Sequence, residues 1–337
     1  MDDIRWFAPN RYCTLPVPAL RESGLTIALS GNEPAGLAVA ADGVCAHEAY
    51  DYAQRRHCPL LVYLWDLPPW RLGRGKPDLV FSFTGTVRSI PRLLDRYPER
   101  AGYYSRLGYI AQRATEVWCP STNTARDVAS RFGVDPLRVP FCFDSARFHD
   151  VSSHKSQVTD HPLPLLSISR LVPHKNHAIL LTAAARLNPR RRVRIIGRGP
   201  EAEPLRRLGR ALGVTLDLTD TWVSDEQIVA AYRVASAVVC PSRFEGFGLT
   251  SMEGLAMGLP VIASDIPVHR EFMQEAVRYF PPEDDAALLQ ALESALASSP
   301  QPRGRPGFQP PVLADLTIES AAARFLPGLH RLLGGGL

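Results

Sequence analysis

From Leu163 to Ala297, short apolar runs alternate with helical patterns, and this alternation narrows the fold more than any other feature of the chain. Strands are expected at Leu163–Ser169, Val193–Gly197, Val214–Leu218, Ala237–Cys240, Pro260–Ala263 and Val277–Phe280. Helices are expected at 176–187, 201–212, 225–234, 249–257, 267–274 and 284–297. A strand that reaches the next strand only through a helix pairs with it in parallel, and the helices then cover both faces of the sheet. The expectation for this half is a Rossmann-like domain.

The chain has 337 residues, more than one core usually serves, and two domains of about 150 residues each are the natural division. Less regular strand signals at Ile4–Ala8, Leu25–Leu29, Leu60–Trp65, Leu79–Phe83, Glu116–Cys119 and Arg138–Pro140 predict a second, smaller α/β domain over 1–155. The polar, aperiodic segment Val151–His161 marks the join to a domain over 156–315. Ser298–Pro311, rich in Pro and Gly, reads as an extended connection. A last helix follows at Leu316–Leu333, expected to kink at Pro327, with 316–337 packing back toward the first domain. Two α/β halves joined by one linker imply a ligand cleft between them.

Composition removes several function classes. A net charge of +4 is too small to argue for nucleic acid, though a small anionic partner is compatible with it. The six cysteines form no C-x-x-C pair and no zinc-type cluster, and they read as reduced thiols. No apolar run nears the roughly 18–20 residues of a membrane span, and Met1–Asn10 lacks a basic signal-type start. A cytoplasmic protein is expected.

The chemistry is concentrated in F-E-G-F-G-L-T-S-M-E-G-L-A-M-G-L-P, residues 244–260, which places Glu245 and Glu253 eight positions apart across a glycine turn. Gly246 and Gly248 are expected to take backbone dihedrals closed to other residues and to let a ligand approach the main chain. The amides that follow open a helix, whose first N–H groups and dipole attract anions and polarised oxygens. Two acids at a fixed spacing recur by chance, and either one alone reads as a turn or solvated residue. The whole string, set between strands that end in Pro241-Ser242 and Ser264-Asp265, points to a ligand carrying both hydroxyls and phosphate, such as a nucleotide-sugar.

Arg170 follows one strand and Lys175 opens the next helix, so both belong to the same carboxyl edge, where they would neutralise a departing diphosphate; an isolated Arg or Lys is more often simply solvated. Gly197 and Gly199 follow a strand, but Ala202 stands where a dinucleotide fingerprint needs its third glycine. Gly199 reads as a turn near a nucleotide and a nicotinamide cofactor is disfavoured. The chain holds no D-x-D, which argues against a metal bridging a diphosphate; no metal and no cofactor are expected.

Leu165–Phe280 resembles the retaining glycosyltransferases of family 4, enzymes of the GT-B fold, in which two Rossmann-like domains face each other across a cleft. The likeness rests on S-R-L-V-P-H-K-N, G-R-G-P-E, V-S-D-E-Q-I-V-A-A-Y-R-V-A-S-A-V-V-C-P-S, the Glu245–Glu253 turn and G-L-P-V-I-A-S-D-I-P-V-H-R-E-F. It implies that Arg170 and Lys175 hold the diphosphate and that Glu253 binds the ribose hydroxyls. Glu245, with the backbone of Gly246, Phe247, Gly248 and Leu249, would hold the sugar, and the backbone around Trp222 and Val223 would frame the base. The implied activity is metal-independent transfer from a UDP-, GDP- or ADP-sugar to a sugar or lipid-linked acceptor.

The first half resembles the family more loosely, through D-G-V-C-A-H-E and V-P-F-C-F-D-S-A-R-F. Trp65, before Asp66, stands where many members carry a histidine, and Pro9, Asn10 and Arg11 replace a glycine-rich loop. Asn10, Arg11, His47, Trp65 and Asp66 are the candidate acceptor-side residues, with His47 a polar substitute or simply a solvated side chain. Arg92, Arg96, Arg100 and Arg106 interleave with tyrosines between Arg88 and Arg113, which reads as weak membrane-surface contact or as a solvated helix. Rival readings are a binding protein that has lost turnover and a GT-B epimerase or phosphorylase.

Overall fold

The computed structural model describes residues 2–65, 98–148, 162–297 and 311–334. They form two compact units, one of Met1–Cys142 with Leu316–Leu337 and one of Phe143–Asp315. Asp66, the strand expected at Leu79–Phe83, Arg92, Arg96 and the segments 151–161 and 298–310 lie outside the described residues.

In the first unit β1 (Asp2–Phe7), β2 (Ile27–Ala28), β3 (Ala35–Ala40), β4 (Leu60–Tyr63), β5 (Glu116–Cys119) and β6 (Leu137–Arg138) form a parallel sheet. Their order is β2-β1-β3-β4-β5-β6. Helices α1 (Val17–Glu22), α2 (Ala46–Arg56), α3 (Pro98–Ala111) and α4 (Thr122–Phe132) connect the strands. The strand β3 was not expected, because A-G-L-A-V-A carries one β-branched residue and no aromatic. Burial overrides that weak propensity: β3 is central, Leu37 to Ala40 are at most 1% exposed, and its alanines pack with Ala46, Ala49 and Ala53 of α2. Small residues on both elements let helix and sheet approach closely.

In the second unit β7 (Leu165–Ile168), β8 (Val193–Ile196), β9 (Leu216–Thr219), β10 (Ala237–Cys240), β11 (Val261–Ser264) and β12 (Arg278–Phe280) are again all parallel. The order is β12-β11-β10-β7-β8-β9. The helices are α5 (His177–Arg186), α6 (Ala202–Ala211), α7 (Asp225–Arg233), α8 (Leu249–Ala256), α9 (Pro267–Met273) and α10 (Asp285–Ala297). Almost unbroken apolar strands such as Ala237–Cys240 form because both faces of the sheet are covered. Chain ends of helices are set locally: Ser224 and Gln227 close a reciprocal capping box at the start of α7.

Helix α11 (Ile318–Leu332) returns to the first unit, where the Phe325 ring lies 5.3 Å from Trp118 and 5.7 Å from Phe141. The helix continues through Pro327. Gly328 is needed for close approach, since a Cβ there would stand 2.4 Å from Trp118 Cζ2.

Both strand orders reverse once. In the first unit the chain leaves β1 for opposite neighbours β2 and β3, and in the second it leaves β7 for β8 on one side and β10 on the other. At such a reversal the connections run to opposite faces and a crevice opens beyond the carboxyl ends of the strands, where ligands bind in doubly wound sheets.

Candidate functional site

The crevice of the second unit is framed by the segments after β7 and β10. Hydrogen bonds to backbone carbonyls hold them together: Arg243 N donates to His174 O at 2.8 Å, and the Thr250 side-chain Oγ1 donates to Ile168 O at 2.8 Å. Pro173–Lys175 makes one 3-10 turn, and Asn176, left-handed at φ 55°, redirects the chain into α5 while its side-chain amide donates to Pro282 O at 2.8 Å.

This turn delivers Lys175, 8% exposed, to Glu245. Lys175 Nζ donates to Glu245 Oε1 at 2.7 Å, and Ser242 Oγ donates to the same oxygen at 2.7 Å. Burial on its own raises the pKa of Glu245, but the Lys175 charge, His269 and the two hydrogen bonds outweigh it and hold the carboxyl down at about 2. Glu245 is therefore a carboxylate at any physiological pH. Lys175 meets Glu245 directly here, a contact that the sequence reading, which assigned it to diphosphate beside Arg170, did not foresee. Arg170 is exposed just beyond β7.

The turn then reaches α8 through Gly248, which is left-handed at φ 84°. That conformation falls to Gly248 alone: Gly246, expected to share it, does not have a positive φ. Phe247 is buried with its ring 4.7 Å from that of Phe272, which anchors the turn from below. Leu249 begins α8.

Glu253 lies one turn into α8, 6% exposed, and accepts a 2.6 Å hydrogen bond from the Tyr232 hydroxyl. Burial raises its pKa, while that hydrogen bond and the charge of Arg147 oppose the rise. Arg147 itself pairs with Asp225 at 2.6 Å. Glu253 thus has polar partners of its own, different from the Lys175 and Ser242 that hold Glu245.

Gly199 is explained by packing. A Cβ there would lie 2.2 Å from Leu171 O, the oxygen that accepts the Glu201 amide at 3.0 Å, so the glycine lets the β8 and β7 loops touch. Trp222, 74% exposed, projects from the loop after β9, with half-buried Val223 beside it.

Sequence reasoning missed four contributors. Tyr232 and Ser242 fix the two glutamates, His269 is fully buried near Gly248, and His177 bonds Ser169 Oγ through Nε2 at 3.0 Å. Their only sequence signal was position: Ser242 precedes Glu245 by three residues, as turn partners do.

The first unit holds the remaining candidates. Asn10 Oδ1 caps the turn after β1 by accepting from Cys13 N at 3.3 Å, and the Arg11 guanidinium stands 5.7 Å from the Tyr12 ring centre. His47 is exposed on α2. Trp65 is half-buried and packs against an aromatic neighbour: its ring lies 4.6 Å from Phe141 and its Nε1 donates to Ala41 O at 2.9 Å. Cys13 and Cys45 lie near this turn, and burial pushes their thiols up to about 12 and about 11.

Residues 150–305 match the family model of glycosyl transferases group 1. The chain is 25% identical over 206 residues to the O-antigen chain mannosyltransferase RfbU of Salmonella typhimurium, covering 59% of this chain and 56% of that protein. It is 30% identical over 204 residues to a D-inositol 3-phosphate glycosyltransferase of Geodermatophilus obscurus, covering 54% and 45%. The chain thus aligns with about half the length of these curated relatives. Among solved structures, Anabaena Alr3699/HepE in complex with UDP and glucose superposes with a TM-score of 0.64 at 15% identity over 99% of this chain and 98% of that one. At that identity the likeness is one of fold, and it gives this chain the GT-B architecture of two Rossmann-like domains.

Proposed function

We propose that this protein is a retaining, metal-independent glycosyltransferase that moves a hexosyl group from a nucleotide-sugar to a hydroxyl of a sugar or lipid-linked acceptor. The carrying observation is the buried Lys175–Glu245 pair at the strand-order reversal of the second unit, beside the left-handed Gly248 that opens α8. The group 1 family match over the same residues supports it. So does a fold shared with a protein solved with UDP-glucose bound.

The chemistry follows from the donors present. An ammonium carries three protons, and Glu245 uses one. The other two are free to meet diphosphate oxygens, with Arg170 as a second cation at the same sheet edge. As the glycosidic bond to the leaving phosphate breaks, negative charge grows on the diphosphate, and cations already in place lower that barrier. Glu245, ionised and fixed by Lys175 and Ser242, offers its other oxygen to sugar hydroxyls. Glu253, with Tyr232 on one oxygen, has the other for the ribose. A diphosphate oxygen on the departing side takes the acceptor proton, so transfer proceeds on the face the leaving group vacates and no protein nucleophile is required.

The test is turnover of UDP-, GDP- and ADP-sugars by the purified chain with EDTA present, reading nucleoside diphosphate release and product anomeric configuration by NMR. Release in EDTA with retained configuration is expected. Dependence on added metal, inverted product, or no donor that either binds or turns over would each overturn the corresponding part.

A further inference from the structure

We propose that the amino-terminal edge of the second unit's sheet carries a separate anion site, in which three consecutive arginines around a hollow of about 220 Å³ take a phosphate group. Pro162, Ala184, Ala185, Arg190, Arg191, Arg192 and the backbone turn 213–215 line it, and none of these residues is acidic. The position is set by the start of the sheet ladder: Leu165 N donates to Arg192 O and Val193 N to Thr215 O, each at 2.9 Å. Arg190 Nη1 is anchored on Gly213 O at 3.1 Å, which holds that guanidinium at the rim. Arg191 Nε is buried and has no hydrogen-bond partner.

Among the described residues, acids on nearby elements are already engaged by other arginines: Asp217 by Arg194, Asp220 and Glu203 by Arg206, and Asp285 by Arg186. Among the described residues, none of Arg190, Arg191 and Arg192 has such an ion pair. Three like charges on successive residues repel one another, and an unpaired buried guanidinium nitrogen is costly. An anion in the hollow relieves that repulsion. The guanidinium fork matches two oxygens of a phosphate, and the hollow has room for the phosphate and part of the group that bears it.

The site is independent of the donor edge. Lys175 and Glu245 lie beyond the carboxyl ends of the same parallel strands, and the four residues of β8 alone put about 10 Å between the two edges of the sheet. The bound chemistry is therefore a phosphate monoester or diester, either free in solution or as a lipid headgroup.

The experiment titrates inorganic phosphate calorimetrically into the wild type, Lys175→Met, Arg191→Ala, Arg191→Gln and Arg207→Ala, the last removing an exposed charge outside the hollow. A parallel arm sediments each with vesicles of phosphatidylglycerol or of phosphatidylcholine alone. Binding in the wild type, Lys175→Met and Arg207→Ala, weakened about tenfold or more in both Arg191 variants, is expected. Selective loss of phosphatidylglycerol sedimentation in those variants names a headgroup as the ligand, and loss confined to phosphate names a soluble one. Arg191 variants that bind like the wild type, or a wild type that binds neither probe, overturn the proposal. Donor turnover of the Arg191 variants should stay at the wild-type rate, which also shows that they fold.

Discussion

The Tyr232 hydroxyl donates to Glu253 Oε2 at 2.6 Å with both side chains buried, so a residue of α7 fixes the orientation of a carboxylate on α8. Tyr232→Phe removes a donor to the ionised form and should cost about 1–3 kcal/mol. Glu253 already has a raised pKa from burial, and losing the hydroxyl raises it further. A carboxyl raised in the folded state destabilises it as pH climbs above the unfolded value, so the loss should be greater at pH 8 than at pH 5. Urea unfolding at both values measures this; an equal loss at the two would mean that Glu253 is not the affected group.

Removing Lys175 strands a carboxylate that its neighbours now hold down at about 2. Lys175→Met should destabilise the fold by about 3–5 kcal/mol, as breaking one half of a buried pair does. Adding Glu245→Gln should restore part of that loss, and the double-mutant cycle gives the coupling. Transfer rates should fall about 100-fold or more in Lys175→Met, through lost stabilisation of the leaving group.

His177 should contribute to acid sensitivity. Burial first, then the charge of Lys175, lowers its pKa from 6.5 to about 4. Between those values the unfolded chain binds a proton that the folded protein refuses, so stability is full above pH 6.5 and declines as pH falls toward 4. The decline amounts to about 3 kcal/mol from this residue. Denaturant midpoints across that window should flatten in His177→Gln, and an unchanged slope would assign the acid sensitivity elsewhere.

Gly199→Ala meets backbone, which no rotamer change relieves, because the new Cβ would stand 2.2 Å from Leu171 O. A loss of about 2–4 kcal/mol is expected, with the loops after β7 and β8 forced apart. Hydrogen exchange at the Leu171 and Glu201 amides, which bond across that contact, should rise together.

The second unit was readable because its strands are apolar on both faces and its helices periodic, so each element announced its own type. The expected strand Val214–Leu218 instead begins two residues later and ends one later, at Leu216–Thr219, because its first positions serve the turn at Gly213. Ala35–Ala40 escaped notice because what makes it a strand is its place between two others, which propensity does not encode. In the site, the glycine turn and the two glutamates stood out as a string. The contacts that give them chemistry did not, since Lys175 and Glu245 are 70 residues apart and Tyr232 and Glu253 are 21 apart. Trp65 shows the opposite: an aromatic at a position examined for polarity is held by Phe141 and Ala41 O.

The first unit borrows its last core helix from beyond the second, and this orders the events of synthesis. Phe143–Asp315 leaves the ribosome with every strand of its own sheet in hand and is free to condense at once. Trp118 and Phe141 must meanwhile wait, with an oily face open to water, until Phe325 arrives. Chaperone dependence and aggregation of truncated chains should therefore trace to the half that begins folding first and finishes last.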